Sequence, residues 1–214
     1  MGKNKIVLLF FVLFCGLITA CSTEDDWTYP PVLTSFLSGQ TDSEGTLSSI
    51  VLANQERFLV DNEEPITGLV KDTLYRLLGV YSVDRTLPQP TATIYSLQQT
   101  LSFVPLPIDQ LVVPLKTDPV TVKSVSYSGG YLNIIVSMLM KAGGQVFHVV
   151  KRSSVNSLLD LVLFHDLNGD EEAYPRTVYL SIPLMQESLT AGDSIALQIQ
   201  TYTDSIQKFQ FVYK

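Results

Sequence analysis

From Pro30 onward, the apolar residues of this 214-residue chain recur mostly at every second position, in short runs rich in β-branched and aromatic side chains. Clusters of Gly, Pro, Asn and Asp separate these runs, and a helical period is almost absent. Alternation at period two buries one face of a strand, whereas a helix needs apolar residues three or four positions apart. The pattern therefore predicts an all-β fold.

The predicted strands fall into two groups, one on each side of a proline-rich stretch at residues 105–119. A small barrel of OB type suits the first group, which spans residues 32–37, 47–52, 58–60, 74–83 and 92–104. An immunoglobulin-like β-sandwich suits the second group, which spans residues 120–127, 131–140, 146–150, 159–164, 177–182, 194–201 and 207–212.

The stretch at residues 105–119 contains four prolines, which lack the amide donor that a central strand needs. We therefore expect a linker there, between an OB-like barrel domain at residues 31–104 and a β-sandwich domain at residues 120–214. Tight turns are predicted at Ser128-Gly129-Gly130 and at residues 190–193. A single turn of helix is predicted at residues 185–189.

The N-terminus has the build of a secretory signal peptide at residues 1–20, because Lys3 and Lys5 precede an apolar run over residues 6–18. That run is too short to cross a bilayer, which takes about 20 apolar residues. It ends in Ile18-Thr19-Ala20-Cys21, which resembles a bacterial lipobox and implies lipidation of Cys21 with acyl chains such as palmitate. An ordinary signal peptide followed by a chance cysteine is the alternative.

Lipid on Cys21 would hold the protein on a membrane without a spanning helix. Residues 21–30 then form an acidic tether. Its cluster Ser22-Thr23-Glu24-Asp25-Asp26 resembles the tag that carries some lipoproteins to the outer face of the outer membrane, although a merely solvated tether has the same composition. We expect a cell-envelope protein anchored to the outer membrane, and surface exposure if the cluster is such a tag.

Composition excludes several kinds of site. Both cysteines, Cys15 and Cys21, belong to the leader region, so the folded part has no disulfide, no thiolate metal site and no cysteine nucleophile. Without residues 1–20, which hold Lys3 and Lys5 of the 14 basic residues, 12 basic and 21 acidic residues give a net formal charge of −9. Such a body repels phosphate backbones, so no nucleic-acid partner is expected.

The sharpest ligand pattern is at residues 166–172, where Asp166, Asn168 and Asp170 place oxygen atoms at alternate positions, as calcium requires. An EF-hand loop counted from Asp166 needs Gly at its sixth position and Glu at its twelfth. The chain has Glu171 and Thr177 there. Because Asn168-Gly169 also favours a two-residue hairpin turn, the alternative is an acidic hairpin tip without metal. No other cofactor is expected.

No set of residues specifies a reaction, so a non-enzymatic protein is predicted. His148 and His165 lack metal-binding spacing and are expected in the core or on a sheet face. Nucleophile motifs of the Gly-x-Ser-x-Gly and Ser-x-x-Lys types are absent. A glycosidase-like carboxylate pair depends on spatial proximity and stays open. Seven aromatic residues fit either a sugar-stacking platform or ordinary sheet packing: Trp27, Tyr29, Tyr127, Tyr131, Tyr174, Tyr179 and Tyr202.

Four short motifs lie along the second half of the chain: Asp118-Pro119-Val120, Gly130-Tyr131-Leu132-Asn133-Ile134, His165-Asp166-Leu167-Asn168-Gly169-Asp170 and Ser181-Ile182-Pro183. Through these motifs, and through the order of an OB-type domain and a C-terminal β-sandwich behind a lipobox, the chain resembles the NigD-like lipoproteins. The resemblance implies fold and envelope location and brings no catalytic residues. It leaves three hypotheses in order: a non-enzymatic binding or assembly module for another envelope component, a protein or a glycan; a surface glycan-binding accessory protein; and an envelope hydrolase that uses two carboxylates.

Overall fold

A computed structural model describes residues 31–155, 157–203 and 205–214. The first five strands are β1 (Leu33–Thr41), β2 (Leu47–Val51), β3 (Arg57–Val60), β4 (Leu74–Asp84) and β5 (Thr91–Gln99). They close into a barrel in the order β1-β2-β3-β5-β4. All neighbours are antiparallel except β3 and β5, which run parallel. The predicted small barrel is confirmed. Among the described residues, no helix is long and apolar enough to cross a membrane.

Eight further strands follow the barrel: β6 (Leu106–Pro107), β7 (Thr121–Ser128), β8 (Tyr131–Met140), β9 (Val146–Val155), β10 (Leu158–Asp166), β11 (Tyr174–Pro183), β12 (Ser194–Gln200) and β13 (Ile206–Val212). They form a five-stranded sheet in the order β13-β12-β10-β9-β6 and a three-stranded sheet in the order β11-β8-β7. Both sheets contribute to one shared apolar core, so the predicted β-sandwich is confirmed.

Each domain buries its own apolar cluster, as alternation along the strands requires. The barrel core consists of Leu37, Leu47, Ile50, Phe58, Leu77, Tyr81, Ala92 and Ile94. In the sandwich, β10 is an exception to simple alternation, because both of its faces are buried. Leu161 and Leu163 face the other sheet, whereas Val162 and Phe164 belong to a separate small cluster with Val150.

The segment at residues 101–119, here called the strap, explains why β10 is buried on both faces. Leu111 of the strap packs on the cluster of Val150, Val162 and Phe164, and the Phe103 ring lies 4.6 Å from the ring of His148. Strand β6 pairs parallel to β9 at the edge of the sheet, where a proline costs no internal hydrogen bond. The stretch predicted as a linker is thus a covering layer of the sandwich, and the exact domain limits stay a prediction.

Two local predictions were wrong. The helical turn expected at residues 185–189 is a single non-helical turn, closed by the Glu187 amide donating to the Leu184 carbonyl at 3.1 Å. Asn168 and Gly169 do form a turn with positive φ, but it does not close a hairpin. Strands β10 and β11 on either side of this turn belong to different sheets. The predicted Gly129-Gly130 hairpin does connect paired strands, since Ser128 faces Tyr131 across β7 and β8.

Candidate functional site

A groove of about 750 Å³ lies where the barrel meets the sandwich. The turn between β2 and β3 forms one wall, and the hairpin between β7 and β8 forms the other. Its lining residues are Ala53, Asn54, Gln55, Tyr127, Ser128, Gly129, Gly130, Met185, Tyr213 and Lys214. Concave sites between domains, with apolar walls and a few polar groups, are where proteins most often bind ligands.

Two glycines set the width of the groove. Gly129 and Gly130 have φ of 60° and 82°, a region that side chains rarely adopt. A Cβ on Gly129 would lie 2.9 Å from the Cα of Ala53, and one on Gly130 would lie 2.6 Å from the Sδ of Met185. Only glycine therefore lets the sandwich hairpin approach the barrel turn this closely.

An aromatic pair lies on the sandwich side of the groove. The rings of Tyr127 and Tyr213 are 5.8 Å apart and tilted by 34°. Burial raises the pKa of Tyr127, with a further contribution from Tyr213, so the phenol stays neutral at physiological pH. Rigid rings with a polar tip are typical of surfaces that bind other molecules.

Arg76 of β4 connects the two domains behind the groove and is 9% exposed. Its Nε donates to the Ser181 hydroxyl at 2.7 Å, Nη2 to Oδ1 of Asn133 at 3.3 Å, and Nη1 to the Ser38 hydroxyl at 3.2 Å. Its Cζ lies 3.8 Å from the ring centroid of Tyr131. Burial lowers the pKa of Arg76 to about 10, so the guanidinium remains charged at neutral pH.

Asn133, Ser181 and Tyr131 come from the short motifs that carry the family resemblance, and the structure brings them together around Arg76. Arg76 itself was missed in the sequence. The feature of the sequence that could have identified Arg76 is that a charged residue lies within the apolar strand β4, next to the buried Leu77. Such a residue needs partners from elsewhere in the fold, and sequence spacing cannot name them.

The opposite end of the sandwich, here called the distal end, contains His165. Its side chain is buried, with Nδ1 2.9 Å from the carbonyl oxygen of Asp118 and Nε2 2.9 Å from Oε1 of Gln145. The ring stacks on Phe147 with centroids 4.4 Å apart. Burial lowers the pKa of His165, against the opposing effect of Asp118 and the nearby carboxylates. This histidine joins the strap to the loop before β9.

The three residues predicted for calcium also lie at the distal end, where protein groups contact the carboxylates of Asp166 and Asp170, and Nδ2 of Asn168 donates to the Gly144 carbonyl at 3.0 Å. Asp166 contacts Nζ of Lys116 at 2.8 Å and accepts the amide of Asn168 at 2.8 Å. Asp170 accepts the amide of Ala142 at 3.0 Å. In the part of the chain that the structure describes, no group of three or more His, Cys, Asp or Glu residues is arranged to hold a metal. Calcium binding by Asp166, Asn168 and Asp170 stays a prediction.

The remaining predicted residues divide into two sets. Cys21, Trp27 and Tyr29 lie outside the described residues. Of the other aromatic residues considered for sugar stacking, Tyr174 and Tyr202 are exposed, at 65% and 37%. Tyr179 of β11 is partly buried, Tyr127 contacts Tyr213, and Tyr131 contacts Arg76.

Comparisons with known proteins find similarity to NigD-like proteins. The family model of a NigD-like C-terminal β-sandwich domain matches residues 108–213. A crystal structure from Bacteroides caccae, described as a NigD-like immunity protein, is 29% identical with a TM-score of 0.72, and the match covers 88% of this chain and 100% of that one. No curated protein matches the chain.

Two more distant structures share the fold. A protein of Parabacteroides distasonis, described as toxin-related, is 13% identical with a TM-score of 0.68, over 86% of this chain and 94% of that one. A protein of Bacteroides fragilis, described as a lipoprotein, is 14% identical with a TM-score of 0.63, over 86% of this chain and 99% of that one.

Proposed function

Since the chain belongs to the NigD-like family, we propose that it is a non-enzymatic lipoprotein of the cell envelope that binds a protein partner in the groove between barrel and sandwich. The observation that carries this proposal is the construction of the groove from both domains, with Arg76 fixing one against the other. Preorganised walls favour binding because little conformational entropy is lost when a partner docks.

The lining of the groove supports binding over catalysis. Its described residues include no Asp, Glu or His, and the titratable side chains are those of Tyr127, Tyr213 and Lys214. General acid–base or nucleophilic catalysis needs a base within hydrogen-bond reach of the reacting group. Tyrosine and methionine, which also line the groove, are instead among the residues enriched in protein interfaces.

A solved relative described as an immunity protein supports a protein as the partner. We extend an immunity role to this chain and propose that it protects the cell by binding a protein. The leader and the lipobox cysteine Cys21 support the envelope location. Anchorage in the outer membrane, with the folded part at the cell surface, is the form of this location that the acidic tether favours.

The proposal is tested by site-specific photo-cross-linking in the producing bacterium. The photoreactive residue replaces Met185 on one wall of the groove or Asn54 on the other, and Tyr174 at the distal end is the matched exposed control. We expect one protein adduct of the same mass from both walls and none from position 174. Adducts that are absent from both walls, or equally strong at position 174, would refute the groove as the binding site.

The glycan-binding alternative is favoured by the exposed Tyr174 and Tyr202 at the distal end, where the Tyr202 hydroxyl donates to Glu172 at 3.0 Å. It predicts that one class of host or bacterial glycan raises the thermal midpoint of the protein, since a ligand at about 100 times its Kd adds about 2.7 kcal/mol. A rise that Tyr174→Ala abolishes would support this function in place of the protein partner.

A further inference from the structure

Strand β13 is the last strand of the five-stranded sheet, and one of its sides has no strand beside it. It pairs with β12 over its whole length, from Ile206 opposite Gln200 to Val212 opposite Ser194. Within the described residues, no other strand pairs with β13. An unpaired edge presents a row of free amide and carbonyl groups that another chain can extend.

The register identifies which groups are free. The Tyr213 amide donates to the Asp193 carbonyl at 2.8 Å, and the Thr201 amide donates to the Ser205 carbonyl at 3.1 Å. In an antiparallel pair, alternate residues bond to the partner strand. The odd-numbered residues of β13 therefore bond to β12, and the amides and carbonyls of Ile206, Lys208, Gln210 and Val212 point outward.

Strand β7 is an edge strand of the other sheet, and its end lies close to the end of β13. Val120, just before β7, forms a β-bridge with Thr201, and Tyr127 contacts Tyr213 where the two strands end. The strands therefore run in the same direction, and each contains one lysine, Lys123 in β7 and Lys208 in β13. This side of the sandwich, β7 together with β13, is here called the open edge.

The open edge has the opposite charge to the molecule as a whole. The chain carries a net formal charge of −7, yet β7 and β13 contain two lysines and no acidic residue. Neither Lys123 nor Lys208 forms an ion pair with a described residue. Lysine on an edge strand discourages pairing with neutral or basic strands, and it favours a strand that brings carboxylates.

We infer that β13 binds an extended, acidic segment of the partner protein as an added strand. This inference rests on the proposed function, because the groove begins at Tyr213, directly after β13. A second cavity of about 510 Å³, lined by Gln210, Phe211 and Val212 among others, flanks the same end of the strand. Backbone pairing supplies affinity in this mode of recognition, and flanking pockets select side chains.

A second copy of the chain fits the open edge less well than an acidic segment. Two β13 strands related by a two-fold axis would bring two copies of Lys208 together. Two chains of net formal charge −7 also repel each other. The charge pattern therefore points to a different protein, whose extended segment has acidic residues.

The inference is tested by amide hydrogen exchange on the full chain in detergent, with synthetic peptides about ten residues long that alternate Val and Glu. We expect exchange at Ile206, Lys208, Gln210 and Val212 to slow about tenfold at saturation. A matched peptide with Lys in place of Glu should leave these amides unchanged. Absence of protection by the Glu peptide at millimolar concentration overturns the inference. If these amides become more protected when only the protein concentration is raised, the inference is also overturned, and the edge binds a second copy of the chain instead.

Two variants separate this inference from the proposed function. Lys208→Pro removes an outward amide without losing a bond to β12, and the double variant Lys123→Glu with Lys208→Glu reverses the charge without any backbone change. Lys71→Glu on the barrel is the charge control. Both edge variants should abolish protection by the Glu peptide, and the control should not. If the cross-link at Met185 still forms in both edge variants, the inference fails and the binding function stands. If it fails to form in the unaltered protein, the binding function itself fails.

Discussion

The guanidinium of Arg76 and the imidazole of His165 are both buried, and the direct hydrogen-bond partners of both are uncharged oxygen atoms. Ser181, Ser38 and Asn133 accept from Arg76, and the Asp118 carbonyl and the Gln145 amide oxygen face His165. Burial disfavours the charged form of each residue. The consequences differ, because Arg76 keeps its charge at every physiological pH, whereas histidine titrates near neutrality.

Acid should destabilise the fold through His165. Because burial holds its pKa below the ordinary 6.5, the unfolded chain binds the proton more tightly than the folded chain does. The stability that depends on neutral His165 is therefore complete above pH 6.5 and is lost as the pH falls below that value. Urea unfolding of the protein between pH 7.5 and about pH 5 should show this loss, and a His165→Gln variant should show a smaller one.

The two hydrogen-bond acceptors around His165 could produce the opposite pH dependence of stability. A protonated ring could donate to both Asp118 and Gln145 at once. Stability that increases as the pH falls below 6.5 in the protein, but not in His165→Gln, would mean that these two hydrogen bonds outweigh the cost of burial.

At the scale of the elements, the strap decides how the sandwich is packed. It converts the outer face of β9 and β10 into a second buried layer, with Leu111 on Val150, Val162 and Phe164. Successive residues of the strap differ sharply in exposure, since Leu111 is partly buried, whereas Val112 is 98% exposed.

This contrast between neighbours gives a matched pair of substitutions. Leu111→Ala should lower the free energy of unfolding by about 1–2 kcal/mol, because it removes contacts with the small outer cluster. Val112→Ala, one residue further on, should change it by less than about 0.5 kcal/mol. Denaturant midpoints measured for both variants check the prediction, and equal losses would show that the strap does not stabilise the sheet.

Local pattern allowed the strands to be predicted well, because each strand's alternation is a property of its own residues. Strand β8 spans the residues predicted for it, 131–140. The strap could not be predicted, since Leu111 and Phe103 resemble any apolar residues in a proline-rich loop until β9 and β10 are placed beneath them. The groove could not be predicted from the sequence for the same reason. Its walls come from residues 53–55 and 127–130, which only the meeting of two domains brings together.

At the scale of the whole molecule, Arg76 links the barrel to the sandwich. We expect Arg76→Met to destabilise the protein by about 2 kcal/mol, because it removes three hydrogen bonds from a charged donor and leaves buried acceptors with fewer partners. Loss of this link should also separate the unfolding of the barrel from that of the sandwich.

The exposed Arg57 of the barrel provides the control, since its guanidinium donates a single hydrogen bond, to the hydroxyl of the buried Ser49 at 3.0 Å. Arg57→Met should cost about 1 kcal/mol, less than Arg76→Met, and leave a single transition. Urea unfolding followed by NMR signals from each domain distinguishes the variants. Coincident transitions and equal stabilities in both would refute the assigned role of Arg76.

The route of the strap also limits which recombination events the protein can tolerate in evolution. A sandwich that begins at residue 108 would lack Phe103 and strand β6, and so would expose part of the sheet that they cover. Recombination between two related genes at residue 108 would combine the first part of the strap, residues 101–107, from one gene with the sandwich sheet from the other. Barrel, strap and sandwich are therefore expected to be inherited together.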